Sequence, residues 1–197
     1  MYNKQLTAIF AISVLTFCGA AQAITVSTTP DASSYQVGET VSIDLIISDL
    51  GNGDAPSIGA FDIDLMFDSS IISFDSVSFG DPVLGDQLDL WGMGSMTDYG
   101  EDNDSINVFE LSFDDPADLL AMQADEFVLA TFTFTASAEG DSHVNIYVND
   151  LSDAYGVESL AANTISSNVK VVPLPAALPL LISGLTLVSA RRKKQTA

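Results

Sequence analysis

Apolar and polar residues trade places along much of this chain with a period of two, the pattern of strands that turn one face to a core and the other to water. Val41, Ile43, Leu45 and Ile47 alternate with Ser42, Asp44 and Ser48, and Phe61, Ile63, Leu65 and Phe67 alternate with Asp62, Asp64 and Asp68. Between Ile72 and Phe79 the phase slips: Ile72 and Phe74 share one parity, Val77 and Phe79 the other. A bulge near Asp75-Ser76 reconciles the two halves. Further strands are expected at 106–113, 127–136, 144–148 and 164–171, with turns at Gly51-Asn52-Gly53, Asp81-Pro82 and Glu139-Gly140-Asp141. One helix is expected, capped by Asp115, with Pro116 in its first position and Leu119, Leu120 and Met122 as its apolar face. Seven or eight short strands at regular spacing predict an all-β fold, a two-sheet sandwich of the jelly-roll kind.

The two ends of the chain break this pattern. Lys4, the apolar run from Leu6 to Phe17 and the small residues of Ala21-Gln22-Ala23 make up the three parts of a secretory signal, residues 1–23, with signal peptidase cleavage expected after Ala23. The sole cysteine, Cys18, lies inside this segment and suggests a lipoprotein signal as the rival, against which stands the bulky Phe17 before it. Cleavage leaves a mature chain with no cysteine, so neither disulfides nor a thiolate nucleophile are available to it.

At the other end, residues 171–190 carry no charge and are long enough to approach a membrane span. Pro173, Pro175 and Pro179 interrupt the stretch, so a regular transmembrane helix is expected only from Pro179 onward. Arg191, Arg192, Lys193 and Lys194 then act as a stop-transfer cluster that stays cytoplasmic, which agrees with an exported body.

Charge sharpens this division. The chain has 27 acids against 6 bases. All 27 acids fall within 24–171, where Lys170 is the only base, so the exported body carries a formal charge of −26. Such a body repels nucleic acid and anionic membrane surfaces, and cations are its natural small partners.

The order Val172-Pro173-Leu174-Pro175-Ala176, short apolar helix, Arg/Lys cluster closely resembles the PEP-CTERM sorting signal in its VPLPA form, over residues 172–197. The resemblance implies recognition by an exosortase, a membrane-embedded transpeptidase of Gram-negative bacteria. It also implies that the precursor is exported across the inner membrane, anchored there, and processed for the cell envelope, surface or extracellular matrix, in association with exopolysaccharide. An ordinary single-span anchor that is never cut is the rival reading. In the body, 35–43 (Tyr35-Gln36-Val37-Gly38-Glu39-Thr40-Val41-Ser42-Ile43), Gly59 to Asp68, and Ile71, Ile72 and Phe74 resemble the opening half of a cohesin-type domain. That resemblance extends by pattern over 24–171 and implies a non-enzymatic binding or structural module, for protein or carbohydrate.

Candidate chemistry within the body is sparse, and no catalytic residue is assigned. His143 is the only histidine, which excludes a multi-histidine metal site. With 27 acids, a carboxylate pair at a glycosidase separation arises by chance and carries no signal. Two oxygen-rich clusters, Asp102 and Asp104 in Glu101-Asp102-Asn103-Asp104, and Asp150 and Asp153 beside Asn149, are candidate calcium ligands, with a solvated acidic surface as the alternative. Finally, Gly85 to Gly100 reads as one long loop in which Trp91 and Tyr99 are candidate ligand contacts, for a sugar ring or a partner.

Overall fold

A computed structural model describes residues 23–173. The expected signal peptide with Ala21, the residues Leu174, Pro175 and Ala176, the transmembrane helix and the Arg191–Lys194 cluster lie outside the described residues. Among the described residues no helix is long and apolar enough to cross a membrane.

Eleven strands and one helix follow in the order β1 (Ile24–Pro30), β2 (Tyr35–Gln36), β3 (Thr40–Ser48), β4 (Ile58–Met66), β5 (Ile72–Phe79), β6 (Met96–Asp102), β7 (Ser105–Leu111), α1 (Pro116–Met122), β8 (Phe127–Ala136), β9 (Gly140–Asp153), β10 (Ala162–Ile165) and β11 (Ser167–Val172). They form two sheets, β10-β1-β3-β8-β5 and β2-β11-β9-β4-β7-β6. The β1–β10 and β2–β11 pairs are parallel and the others antiparallel. One edge is closed by two chain segments that each pass from one sheet to the other: β1 runs on into β2, and β10 into β11.

The alternating positions meet in the space between the sheets. Val41, Ile43, Leu45 and Ile47 of β3 face Phe61, Ile63 and Leu65 of β4 within one continuous buried cluster. Its largest fully buried side chains include Phe61, Phe132 and Phe134. Phe134 stands edge-on to Phe67 at 5.0 Å and to Phe74 at 5.8 Å, which ties the two sheets together toward the tail end, where the chain leaves β11. Burial of this apolar area is the main source of stability, because residues 23–173 contain no cysteine and so no disulfide to constrain their unfolded state.

The expected helix is α1: Asp115 Oδ1 accepts from the Ala117 N–H at 2.9 Å, with Pro116 next to the cap. The expected bulge is present as well, since the β5–β8 register shifts between Phe74 and Ser76. Other boundaries differ. The strand expected at 144–148 runs the full length of β9, because a second bulge at Asn149 resets its alternation and hides the continuation. The strand expected at 164–171 is two, β10 and β11, parted where the chain changes sheet. β1 and β6 were not foreseen. The inward row of β1 is Ile24, Val26 and then Thr28, whose Oγ1 donates to Ser167 Oγ at 2.8 Å. All seven residues of β6 are exposed, so it has no apolar row to read.

The register defines two ends. At one, here the α1 end, lie the start of β1 (Thr25 opposite Ser48), the junction of Ile58 with Asp153 and the pairing of Leu111 with Met96. At the other, the tail end, Val171 pairs with Gly140 and Val172 with Gln36, and the chain leaves β11 there toward Pro173.

Candidate recognition surface

The outward face of β9-β4-β7-β6 is built on acids. Asp62 and Asp64, the polar partners of the β4 core row, stand on this face between two asparagines. Asn107 Nδ2 on β7 donates to Asp62 Oδ1 at 2.6 Å and Asp64 Oδ1 at 2.8 Å. From the opposite side Asn149 Nδ2, the bulge residue of β9, donates to Asp62 Oδ1 at 3.1 Å and Asp64 Oδ2 at 3.0 Å. Two amides, one from each neighbouring strand, thus hold two carboxylates of the same strand side by side. Register places Asp98 and Asp150 in the same row as Asp62, and Tyr147 beside Asp64.

Toward the α1 end this face opens into a cleft of about 420 Å³ lined by Gly59, Ala60 and Leu111 from the sheet, Phe113 and Asp114 after β7, and Asp153 to Gly156 after β9. Phe113 and Tyr155 are 65% and 59% exposed, a large apolar and aromatic surface at the rim of an acidic face. Gly59 shapes the cleft floor. A Cβ there would lie 2.9 Å from the Asp153 carbonyl oxygen and 3.1 Å from Ala154 Cα, backbone atoms at the end of β9 and just past it. Gly59→Ala is therefore expected to push the end of β9 off β4 and cost about 1–3 kcal/mol, as overpacking does. A melt of the variant against the parent measures the loss.

The residues singled out from sequence do not converge. Asp102 Oδ1 accepts from the Asn103 N–H at 2.8 Å, and Asp104 Oδ1 takes Ser69 Oγ at 2.5 Å, a bond that lowers its pKa. Both lie at the β6–β7 hairpin, at the tail end. Asp150 accepts from Ser152 Oγ at 2.7 Å and Ser159 Oγ at 3.1 Å, and Asp153 Oδ1 from the N–H groups of Val157 and Glu158 at 2.8 and 3.1 Å. These carboxylates serve their own turns. As the side chains stand, no group of three His, Cys, Asp or Glu among the described residues is spaced to hold a metal ion. The stretch Gly85 to Gly100 is not one loop, since β6 begins at Met96. Trp91 lies in the loop, with Nε1 donating to Asp118 Oδ2 of α1 at 3.1 Å, whereas Tyr99 is on β6, edge-on to Phe74 of β5 at 6.1 Å. His143 is exposed on β9 opposite Asn168 of β11.

The residues that sequence reading passed over as a site are those of the cleft: Phe113 closes the strand expected at 106–113, whereas β7 ends at Leu111, and Tyr155 follows a strand end and belongs to no periodic row. A large apolar side chain just past a strand, next to Asp-Pro or Gly, was the available signal.

The fold is an all-β two-sheet sandwich that resembles cohesin. No family model and no curated protein matches the chain. Among solved structures it is similar to a non-cellulosomal cohesin from the archaeon Archaeoglobus fulgidus, at 14% identity and TM-score 0.55 over 76% of this chain and 91% of that one. A type II cohesin domain from the cellulosome of Acetivibrio cellulolyticus gives 13% identity and TM-score 0.59 over 75% and 95%. The sixth cohesin of scaffoldin B from the same organism, solved with a Cel5 dockerin, gives 15% and 0.58 over 76% and 99%. At these identities the likeness is one of fold.

Proposed function

We propose that the chain is an exported, non-enzymatic recognition module of the cell envelope or extracellular matrix, sorted and processed by an exosortase. The observation that carries the recognition reading is the continuous outward face of β9-β4-β7-β6 running into the Phe113–Tyr155 cleft, on a sandwich whose solved neighbours include a cohesin crystallised with a dockerin. The partner it fits offers cationic groups to Asp62, Asp64, Asp98 and Asp150 and a flat or apolar group to the cleft. A protein segment meets both requirements. Exopolysaccharide is the second reading, supported by the two exposed aromatics and by the sorting signal.

Two positions support the sorting reading. β1 starts at Ile24, one residue past Ala23, and β11 ends at Val172, where the Val-Pro-Leu-Pro-Ala motif begins. The folded body thus fills the interval between the two signals. Prolines disfavour a helix through the motif, which would leave its peptide bonds open to attack, while the four cations resist crossing the bilayer.

Intact mass of the protein recovered from envelope and medium fractions tests this. The expected mature form lacks residues 1–23 and the Arg191–Lys194 cluster. A mature protein that retains Arg191–Lys194 means an uncut single-span anchor.

A further inference from the structure

Glu110 occupies a position that alternation reserves for the core. It follows Ile106 and Val108 on the inward side of β7, and it is completely buried. Its Oε1 accepts from Ser95 Oγ at 2.6 Å, but its Oε2 meets no donor. What faces it is more acid: the carboxyl of Asp86, close enough to share a hydrogen bond, and that of Asp89. Both belong to the loop between β5 and β6. Asp86 Oδ1 accepts from the Leu88 N–H at 2.9 Å and Asp89 Oδ1 from the Gly94 N–H at 3.0 Å, and among the described residues neither Oδ2 has a donor.

A buried carboxylate needs a counter-charge or a proton. Lys170, the only lysine or arginine of the body, is on β11 next to Asp141 at the tail end and cannot supply it. A doubly charged ion meets the orphaned oxygen and balances two of the three charges, and an all-oxygen donor set of three carboxylates beside the Ser95 hydroxyl suits calcium better than softer metals.

We propose that Asp86, Asp89 and Glu110 bind one divalent cation of the calcium class, which pins the β5–β6 loop onto the end of β7. Asp86 and Glu110 now meet directly. An ion entering between them takes the place of that direct contact, and Asp89 joins by turning from the Gly94 N–H. The site is separate from the four aspartates Asp102, Asp104, Asp150 and Asp153, each of which already accepts a hydrogen bond elsewhere.

The test uses the full chain in detergent, stripped with EDTA and returned to chelator-free buffer. Calcium chloride alone is titrated calorimetrically, and melting is followed in calcium chloride and in sodium chloride of equal ionic strength. The parent should take up one more equivalent of calcium than Glu110→Gln and melt higher in calcium than in sodium. Without calcium, Glu110→Gln should melt no lower than the parent, because it removes the orphaned acid, and it should gain nothing from calcium beyond screening. Equal calcium uptake and equal melting gains in parent and variant overturn the proposal, as does a parent that responds alike to calcium and sodium. If Glu110→Gln does not fold, Asp89→Asn in the exposed part of the loop must show the same loss of one equivalent.

Discussion

Replacing Phe134 by alanine is expected to remove about 3–5 kcal/mol of folding stability. Its side chain is fully buried and in contact with three other rings, Phe67, Phe74 and Phe132, with centroids at 5.0, 5.8 and 6.5 Å. Phe67 and Phe74 flank the β4–β5 connection and Phe132 lies two residues back on β8, so the cavity would open where the two sheets meet and neither could close it alone. Against a total of about 5–15 kcal/mol this is a large fraction, and it should lower the melting temperature by on the order of 10 °C. Phe113→Ala, at the exposed cleft rim, serves as the control and should stay within about 0.5 kcal/mol of the parent. Calorimetric melts of both variants decide the matter. Equal losses would mean that the buried aromatic group contributes no more than a surface ring.

The second large effect is expected at Asp81. Its Oδ1 accepts from the Val83 and Leu84 N–H groups, each at 2.8 Å, and its Oδ2 from the Val128 N–H of β8 at 2.9 Å. One carboxylate therefore closes the turn after β5 and fastens it to the neighbouring strand. Burial alone would raise its pKa, but the N–H groups of Leu84, Val128 and Val83 outweigh that and hold it below the usual 3.8. Removal strands the half-buried Val128 donor, while the two exposed turn donors turn to water. A loss of about 2–3 kcal/mol follows for Asp81→Ala at neutral pH. The pH dependence has a definite sign. The folded pKa is depressed, so the contribution is complete above the unfolded value and is lost as pH falls through the lower folded one. Denaturant melts of parent and variant should differ by a constant amount near neutrality and converge in acid. A gap that persists unchanged well below pH 3.8 would show that the charge on Asp81 plays no part.

Legibility from sequence followed burial. The rows Val41 to Ile47 and Phe61 to Phe67 are central strands with one face fully covered, and they read directly. So did the phase slip at Asp75 and the Asp115-Pro116 helix start, because each is a local event with its own chemistry. β6 and β10 lie at sheet edges, where few side chains are buried and alternation has nothing to report. β1 was obscured by Thr28, a polar residue satisfied by Ser167 far along the chain. The acidic face was half legible. Asp62 and Asp64 announce an outward row, but their partners Asn107 and Asn149 reach them only through the pairing of β7 and β9 with β4. Glu110 stands in phase with Ile106 and Val108 and was visible as an acid on an apolar row. Its meaning depends on Asp86 and Asp89, which only the fold of the loop between β5 and β6 brings beside it.

The way β11 is held bears on how the module would behave under load. β11 is gripped on both sides, antiparallel by β9 from Ser167 to Val171 and parallel by β2 at Val171 and Val172. Its C-terminal end points away from the α1 end, where the Phe113–Tyr155 cleft lies. In a body tethered through residue 173 and pulled by a partner seated in that cleft, tension runs along the strands, at right angles to the ladder hydrogen bonds. Those bonds are then sheared together and cannot peel apart one at a time from a frayed end. Failure under such a pull is set by the height of the unfolding barrier, not by the equilibrium stability, so the natural measure of this attachment is its lifetime under force.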